Sequence, residues 1–119
     1  MKKPKNNLSV RLSEATIKIV DSATTVFFHR ADVLIAALLN FDALSIDDRN
    51  AFLSVLATPP KKAISFRLPE FFFELIDGYT NTIITRPDVV HAALLAFDQL
   101  DIDKRYQYLN EAKVKNNEY

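Results

Sequence analysis

The chain has no cysteine, a single glycine, no net charge and only short apolar runs. Without cysteine there is neither a disulfide framework nor a thiolate metal site. With Gly78 as the only glycine, no glycine-rich phosphate loop is available. The longest apolar run, Val33 to Leu39, is too short to span a membrane. The basic start Met1-Lys-Lys-Pro-Lys5 is not followed by the pattern of a signal peptide. A cytoplasmic protein with no membrane contact is the default expectation. No nucleophile-base set and no cluster at metal-ligand spacing occurs, so neither enzymatic activity nor a cofactor is expected. His29 and His91 lack nearby Cys or Glu ligands and are read as structural rather than metal-binding.

What the chain does have is a repeat. Residues Leu8 to Leu56 align without a gap on Ile64 to Ala112, at a constant shift of 56 positions with 20 identities in 49 pairs. Average residue usage gives roughly three by chance. A unit of about 50 residues is marginal alone, so the two copies are expected to share one core about a pseudo-two-fold axis. The boundaries are residues 1–57 for the first copy, a linker at 58–62, and 63–119 for the second copy and its tail.

Zero net charge conceals a polarised distribution. Met1 to Leu12 carries Lys2, Lys3, Lys5 and Arg11 with no acid, and Thr58 to Leu68 carries Lys61, Lys62 and Arg67 with none. Both segments fall at the same place in the repeat, so a neutral chain can still present one positive face.

Each copy opens on strict alternation, Leu8-Ser-Val-Arg-Leu12 and Ile64-Ser-Phe-Arg-Leu68, the mark of a half-buried strand. A strand this short needs a partner for its backbone. Its own duplicate supplies one, giving a two-stranded antiparallel ribbon. A helix follows, with Ser13 as N-cap in one copy and Pro69-Glu70 in the first turn of the other. Local propensity in Thr16–Val20 and Phe72–Ile76 leans toward strand, yet the apolar spacing is helical. Gly78 is placed to end the second copy's helix. A longer helix begins near Arg30 and Arg86, with Thr85-Arg-Pro-Asp88 as a capping box and His29 as a weaker cap. Val33, Ala37, Leu38 and Phe41 recur as Val89, Ala93, Leu94 and Phe97, an apolar stripe whose small members permit close helix approach. Ser45 and Asp101 cap a third helix, whose apolar side is Phe52, Leu53 and Leu56, and Tyr108 with Leu109. The recurring Asp42, Asp47, Asp98 and Asp103 are read as helix-capping and solvent-facing, and Lys113 to Tyr119 as a frayed tail.

This order of elements, with a strand reading apolar-polar-apolar-Arg-Leu-Pro/Ser-Glu, resembles the ribbon-helix-helix superfamily of MetJ/Arc type. The likeness covers about the first 35 residues of each copy and is closer in the second, Ile64-Ser-Phe-Arg-Leu-Pro-Glu70 with Thr85-Arg-Pro-Asp-Val-Val-His-Ala-Ala-Leu94. The fold it implies is mainly α with a short antiparallel ribbon. Two ribbon-helix-helix units would form an intramolecular pseudo-dimer, each with an extra C-terminal helix outside the minimal motif. In that family the ribbon enters the DNA major groove, and the second helix's N-terminus holds backbone phosphate. The resemblance therefore implies base reading by Asn7, Ser9 and Arg11, and by Ala63, Ser65 and Arg67. It implies phosphate contacts from Lys3, Lys5, His29, Arg30, Lys61, Lys62, Thr85 and Arg86. Two features depart from the family pattern: Phe27 and Ile83 stand where a turn glycine is common, and Ala63 replaces a polar reader. The implied partner is double-stranded DNA, and the implied role a transcriptional repressor or a plasmid or viral regulatory factor. A single-chain duplicate resembles members that act in conjugation. The competing expectation is a protein-interaction module, such as an antitoxin or relaxosome accessory protein. It would bind a protein partner, or further copies of itself, through the extra helices.

Overall fold

The computed structural model describes residues 4–118. The elements run β1 (Lys5–Ser13), α1 (Glu14–Ala23), α2 (Arg30–Ala43), α3 (Ile46–Leu53), β2 (Lys61–Pro69), α4 (Glu70–Asp77), α5 (Arg86–Asp98) and α6 (Ile102–Glu118). The chain is thus mainly helical with one two-stranded antiparallel sheet, β1 against β2. No helix among the described residues is long and apolar enough to cross a membrane.

The alternation in each strand divides the ribbon into two faces. Leu8, Val10 and Leu12 join Ile64, Phe66 and Leu68 beneath it, all buried. Each contributes about 1.5–3 kcal/mol by leaving water. Below them α2 and α5 pack on each other. Their buried residues run around much of each helix, Asp32–Leu38 with Asn40 and Phe41 in α2, Val89–Leu94 with Ala96 and Phe97 in α5, as befits central helices. Ala36, Ala37, Ala92 and Ala93 are fully enclosed, so the two backbones approach closely. The packing crosses between the halves of the chain: β1 lies on α5 and β2 on α2, while α3 packs on α5 and α6 on α2.

The first helix of each half forms in spite of its β-branched and aromatic content. Ser13 Oγ accepts from Thr16 N at 3.4 Å, the Thr16 hydroxyl donates back to Ser13 O at 2.9 Å, and Glu14 sits in the first turn. Thr16 and Val20 in α1, like Phe72 and Ile76 in α4, face the core at i, i+4 spacing, so tertiary burial overrides propensity. Pro69 takes the N-cap position rather than the first helical turn, at φ −60° and ψ 150°. Gly78 does end α4, but with φ −62°; nothing there requires a glycine.

The turn before the second helix needs no glycine either, because no described residue has positive φ. Thr25 Oγ1 accepts from Phe27 N and Phe28 N, each at 3.1 Å, and Thr25 N donates to Phe28 O at 2.9 Å. Asn81 does the same in the other half, its Oδ1 accepting from Ile83 N at 2.8 Å and Ile84 N at 2.7 Å. A polar side chain thus closes the loop by an Asx/ST-type turn.

Four further expectations require correction. Lys61 and Lys62 belong to β2, not to a linker; the ladder extends three residues before the apolar alternation begins in both strands. Leu56 lies beyond α3 and is 87% exposed, so it forms no part of an apolar helix side. Residues 113–118 are not frayed: α6 continues to Glu118, with Ala112 and Asn116 buried, and Tyr119 lies outside the described residues. Asn116 Nδ2 donates to Asp32 Oδ1 at 3.0 Å and so satisfies a carboxylate only 2% exposed, which would be costly to leave unpaired. Asp42 and Asp98 sit in the last turns of α2 and α5 and cap no helix N-terminus; Asp42 accepts the Tyr79 hydroxyl. Asp101 does cap α6, accepting from Lys104 N at 2.8 Å.

His91 is buried in α5, where position 35 of α2 carries isoleucine. Neither ring nitrogen has a hydrogen-bond partner among the described residues. Burial, the largest influence, holds its pKa below the ordinary 6.5, against the opposing effect of Asp88. The unfolded chain therefore takes up this proton more readily. The sign follows: stability is full above about pH 6.5 and falls as acidification protonates the unfolded form. Replacing His91→Ile is expected to raise the urea midpoint at pH 7, by the equivalent of about 1–3 kcal/mol for relieving unsatisfied polar atoms. It is also expected to flatten the decline on acidification from about pH 6.5 to 5, where the unfolded-state histidine titrates. Urea titrations of both proteins at pH 7 and at about pH 5 check this.

Candidate nucleic-acid interface

The outer face of the ribbon carries Lys5, Asn7, Ser9 and Arg11 from β1, and Lys61, Ala63, Ser65 and Arg67 from β2. Lys5 is half-buried and the others exposed. The register sets Asn7 opposite Arg67, Ser9 opposite Ser65, Arg11 opposite Ala63 and Ser13 opposite Lys61. All six expected base readers therefore stand on one surface in three adjacent rows. Rows two residues apart are separated by about 6.8 Å, so Arg11 and Arg67 stand about 14 Å apart along the ribbon. That is about four base-pair steps at 3.4 Å each. The DNA major groove, about 12 Å wide, admits a two-stranded ribbon in general.

Four cations and no carboxylate lie on this face. Ser9 Oγ and Ser65 Oγ meet at 3.0 Å in the central row. Arg11 Nη2 donates to Lys61 O at 2.9 Å, which orients the guanidinium along the ribbon while leaving other N–H groups outward. Arg67 makes no hydrogen bond or ion pair with the described residues. The two arginines thus differ: one is braced and the other is free to turn. Lys62 is exposed but alternates away from Lys61 in β2. Lys3 lies outside the described residues.

The helix N-termini supply fewer donors than the sequence suggests. The backbone N–H groups of His29 and Thr85 are already held by Asp32 Oδ2 and Asp88 Oδ2, each at 2.9 Å. The first-turn N–H groups left are those of Arg30 and Ala31 in α2 and of Arg86 in α5, since Pro87 has none. The two flanking arginines have acidic partners that sequence reasoning missed. Arg86 donates Nε to Asp77 Oδ1 at 2.7 Å and Nη2 to Oδ2 at 2.9 Å, and its guanidinium lies 5.4 Å from the Phe73 ring centre. The bond from Arg86 holds the Asp77 carboxyl below its usual range, and the arginine's own pKa rises in return. Arg30 and Asp21 stand 3.9 Å apart in a looser version. The signal was present, because Asp21 and Asp77, like Arg30 and Arg86, are identical at the 56-residue shift. Beside these helix starts Phe27 and Ile83 are 66% and 84% exposed, each at the tip of the side-chain-closed turn.

The register offers a direct check. Ser9→Cys with Ser65→Cys places two thiols directly opposite in a chain that has no other cysteine, within reach of disulfide geometry. Mild oxidation is expected to yield a monomer with no free thiol by Ellman assay. A one-residue slip would set one cysteine against a core-facing position and leave both thiols titratable.

No protein-family model, curated protein or solved structure matches the chain.

Proposed function

We propose that the chain is a tandem ribbon-helix-helix protein that reads double-stranded DNA with its ribbon in the major groove, acting as a repressor or a plasmid or viral regulatory factor. The observation that carries this reading is the strand register. Ser9 and Ser65, 56 positions apart, are both repeat equivalents and direct cross-strand partners. That pairing supports a reading in which two copies of one unit would meet about a pseudo-two-fold axis through the centre of an acid-free, arginine-flanked ribbon. An axis there suits an operator of two half-sites. Ala63, where the first strand has Asn7 at the 56-residue shift, makes the half-sites unequal, so the site would be an imperfect palindrome. Arg11 and Arg67 would bond guanine O6 and N7, and the serines and Asn7 would contact the bases between. Lys5 and Lys61 would add salt-dependent attraction. The N–H groups at Arg30, Ala31 and Arg86 would hold phosphate, with Arg86 exchanging its Asp77 bond for the DNA backbone.

A partner-binding role alongside DNA binding is supported by α3, which contains no buried residue. Ile46, Val55 and Leu56 are exposed on and just after it.

Arg11→Ala with Arg67→Ala is expected to weaken binding to the preferred sequence by about 30-fold or more, at about 1–3 kcal/mol for each bidentate contact. Thermal unfolding should hardly change, since both side chains are exposed. Sequencing the genomic fragments retained by each protein, followed by anisotropy titrations on the enriched site, provides the measurement. Equal retention by the wild type and the double variant would overturn the ribbon-reading assignment.

A further inference from the structure

Positions 23 and 79, one repeat apart, carry alanine and tyrosine. The surroundings of Tyr79 amount to a receptor for a phenol. Its ring meets Phe41 edge-on at 5.2 Å and 80°. The Arg49 guanidinium lies 5.2 Å from the ring centre, and the hydroxyl donates to the Asp42 carboxylate. Arg49 is fixed for this role by the backbone: Nη1 donates to Leu44 O at 2.6 Å and to Asp42 O at 3.3 Å.

The other half carries the same three residue types without the tyrosine, and there Arg105 Nη2 also stands 4.0 Å from Asp98 Oδ1. Phe97, Asp98 and Arg105 replace Phe41, Asp42 and Arg49 at the 56-residue shift. Arg105 is held by the equivalent carbonyls, Nη2 on Asp98 O at 2.6 Å and Nε on Leu100 O at 2.9 Å. The Ala23 side chain ends at Cβ, and a pocket of about 160 Å³ opens there, lined by Ala23, Phe28, Phe97, Asp98, Arg105 and Tyr106 among others. Benzene enters an apolar cavity of about 150 Å³, so one substituted ring is the right size. Phe28 and Tyr106 stand at 6.3 Å with their rings tilted, and Tyr106 is 51% exposed, which leaves an aromatic rim at the solvent side.

We propose that this pocket binds a small free phenol, its ring between Phe97 and the Arg105 guanidinium and its hydroxyl donating to Asp98. The chain's own Tyr79 supplies the template for the contacts: an edge-on aromatic pair, a cation over the ring and a carboxylate acceptor. The inference rests on the two matching receptors and stands whether or not the ribbon reads DNA.

The experiment titrates p-cresol, and toluene as the analogue lacking the hydroxyl, into the full chain and follows backbone amide shifts by NMR. Saturable p-cresol binding with a Kd of about 1 mM is expected for a ligand this small. Shifts should centre on Ala23, Phe97 and Arg105, and toluene should bind about tenfold more weakly for want of the charge-assisted bond. Ala23→Tyr, which rebuilds the filled arrangement, is expected to abolish binding and to melt no lower than the wild type. Asp98→Ala, exposed and outside the core, is expected to lose the preference for p-cresol over toluene, and it serves should A23Y fail to fold. Absence of saturation up to about 20 mM, roughly twentyfold above the expected Kd, would overturn the proposal. So would equal binding of toluene by the wild type, or undiminished binding by folded A23Y.

Discussion

β1 and β2 each have one partner for their backbone among the described residues, and it is the other strand. A two-stranded sheet is weak in isolation. This one is held from below, because the six apolar inward side chains, Leu8, Val10, Leu12, Ile64, Phe66 and Leu68, are buried over the two central helices. Register and burial enforce one another. A slip by one residue would turn Leu8, Val10 and Leu12 outward and bury Ser9 and Arg11, which no ladder energy could offset. The outer face is therefore a by-product of the inner one. Its residues are displayed at fixed positions because their neighbours in sequence are locked in the core.

The crossed packing explains why half of this chain would be poor at standing alone. With β1 on α5, β2 on α2, α3 on α5 and α6 on α2, each half completes its core with the other's helix. The two halves differ where they do not touch the common framework. α3 has 8 residues and α6 has 17, and the longer one reaches back to satisfy the buried Asp32 through Asn116. Position 88, equivalent to 32, is exposed by contrast and needs no such partner. The Tyr79 and Ala23 environments are a second case of one framework serving two purposes.

Much of the fold was legible in the sequence because alternation and helical spacing report burial directly. The strands, the caps at Ser13, Ser45 and Asp101, and the starts of α2 and α5 all carried their own signals. What escaped notice was polar. Lys5 to Asn7 and Lys61 to Ala63 pair through their backbones, and backbone pairing leaves no apolar pattern. The last turns of α6 face the core with Ala112 and Asn116, and an asparagine in a core-facing position looks like part of a solvated tail. The loop at Thr25 and Asn81 replaces a glycine by side-chain acceptors, a substitution visible only once the hydrogen bonds are drawn. The arginines flanking α2 and α5 were identified, but not the aspartates that hold them, nine residues earlier in each case. Those residues come together only when the intervening turn folds back. The pocket was present in the alignment as a single mismatch, whose meaning depended on seeing what surrounds the tyrosine.

The two strands of the ribbon are separated in sequence by three helices. The chain must close a long loop before the only ladder in the described structure can form, and contacts so distant in sequence slow folding. Until that closure, β1 is an unpaired edge whose complement is present on every other copy of the chain. A β1 that meets the β2 of a neighbour gains the same hydrogen bonds and the same core. At high concentration the ribbon is thus open to domain exchange, and the tether between its strands acts as a kinetic guard, keeping the chain's own β2 the nearest one available.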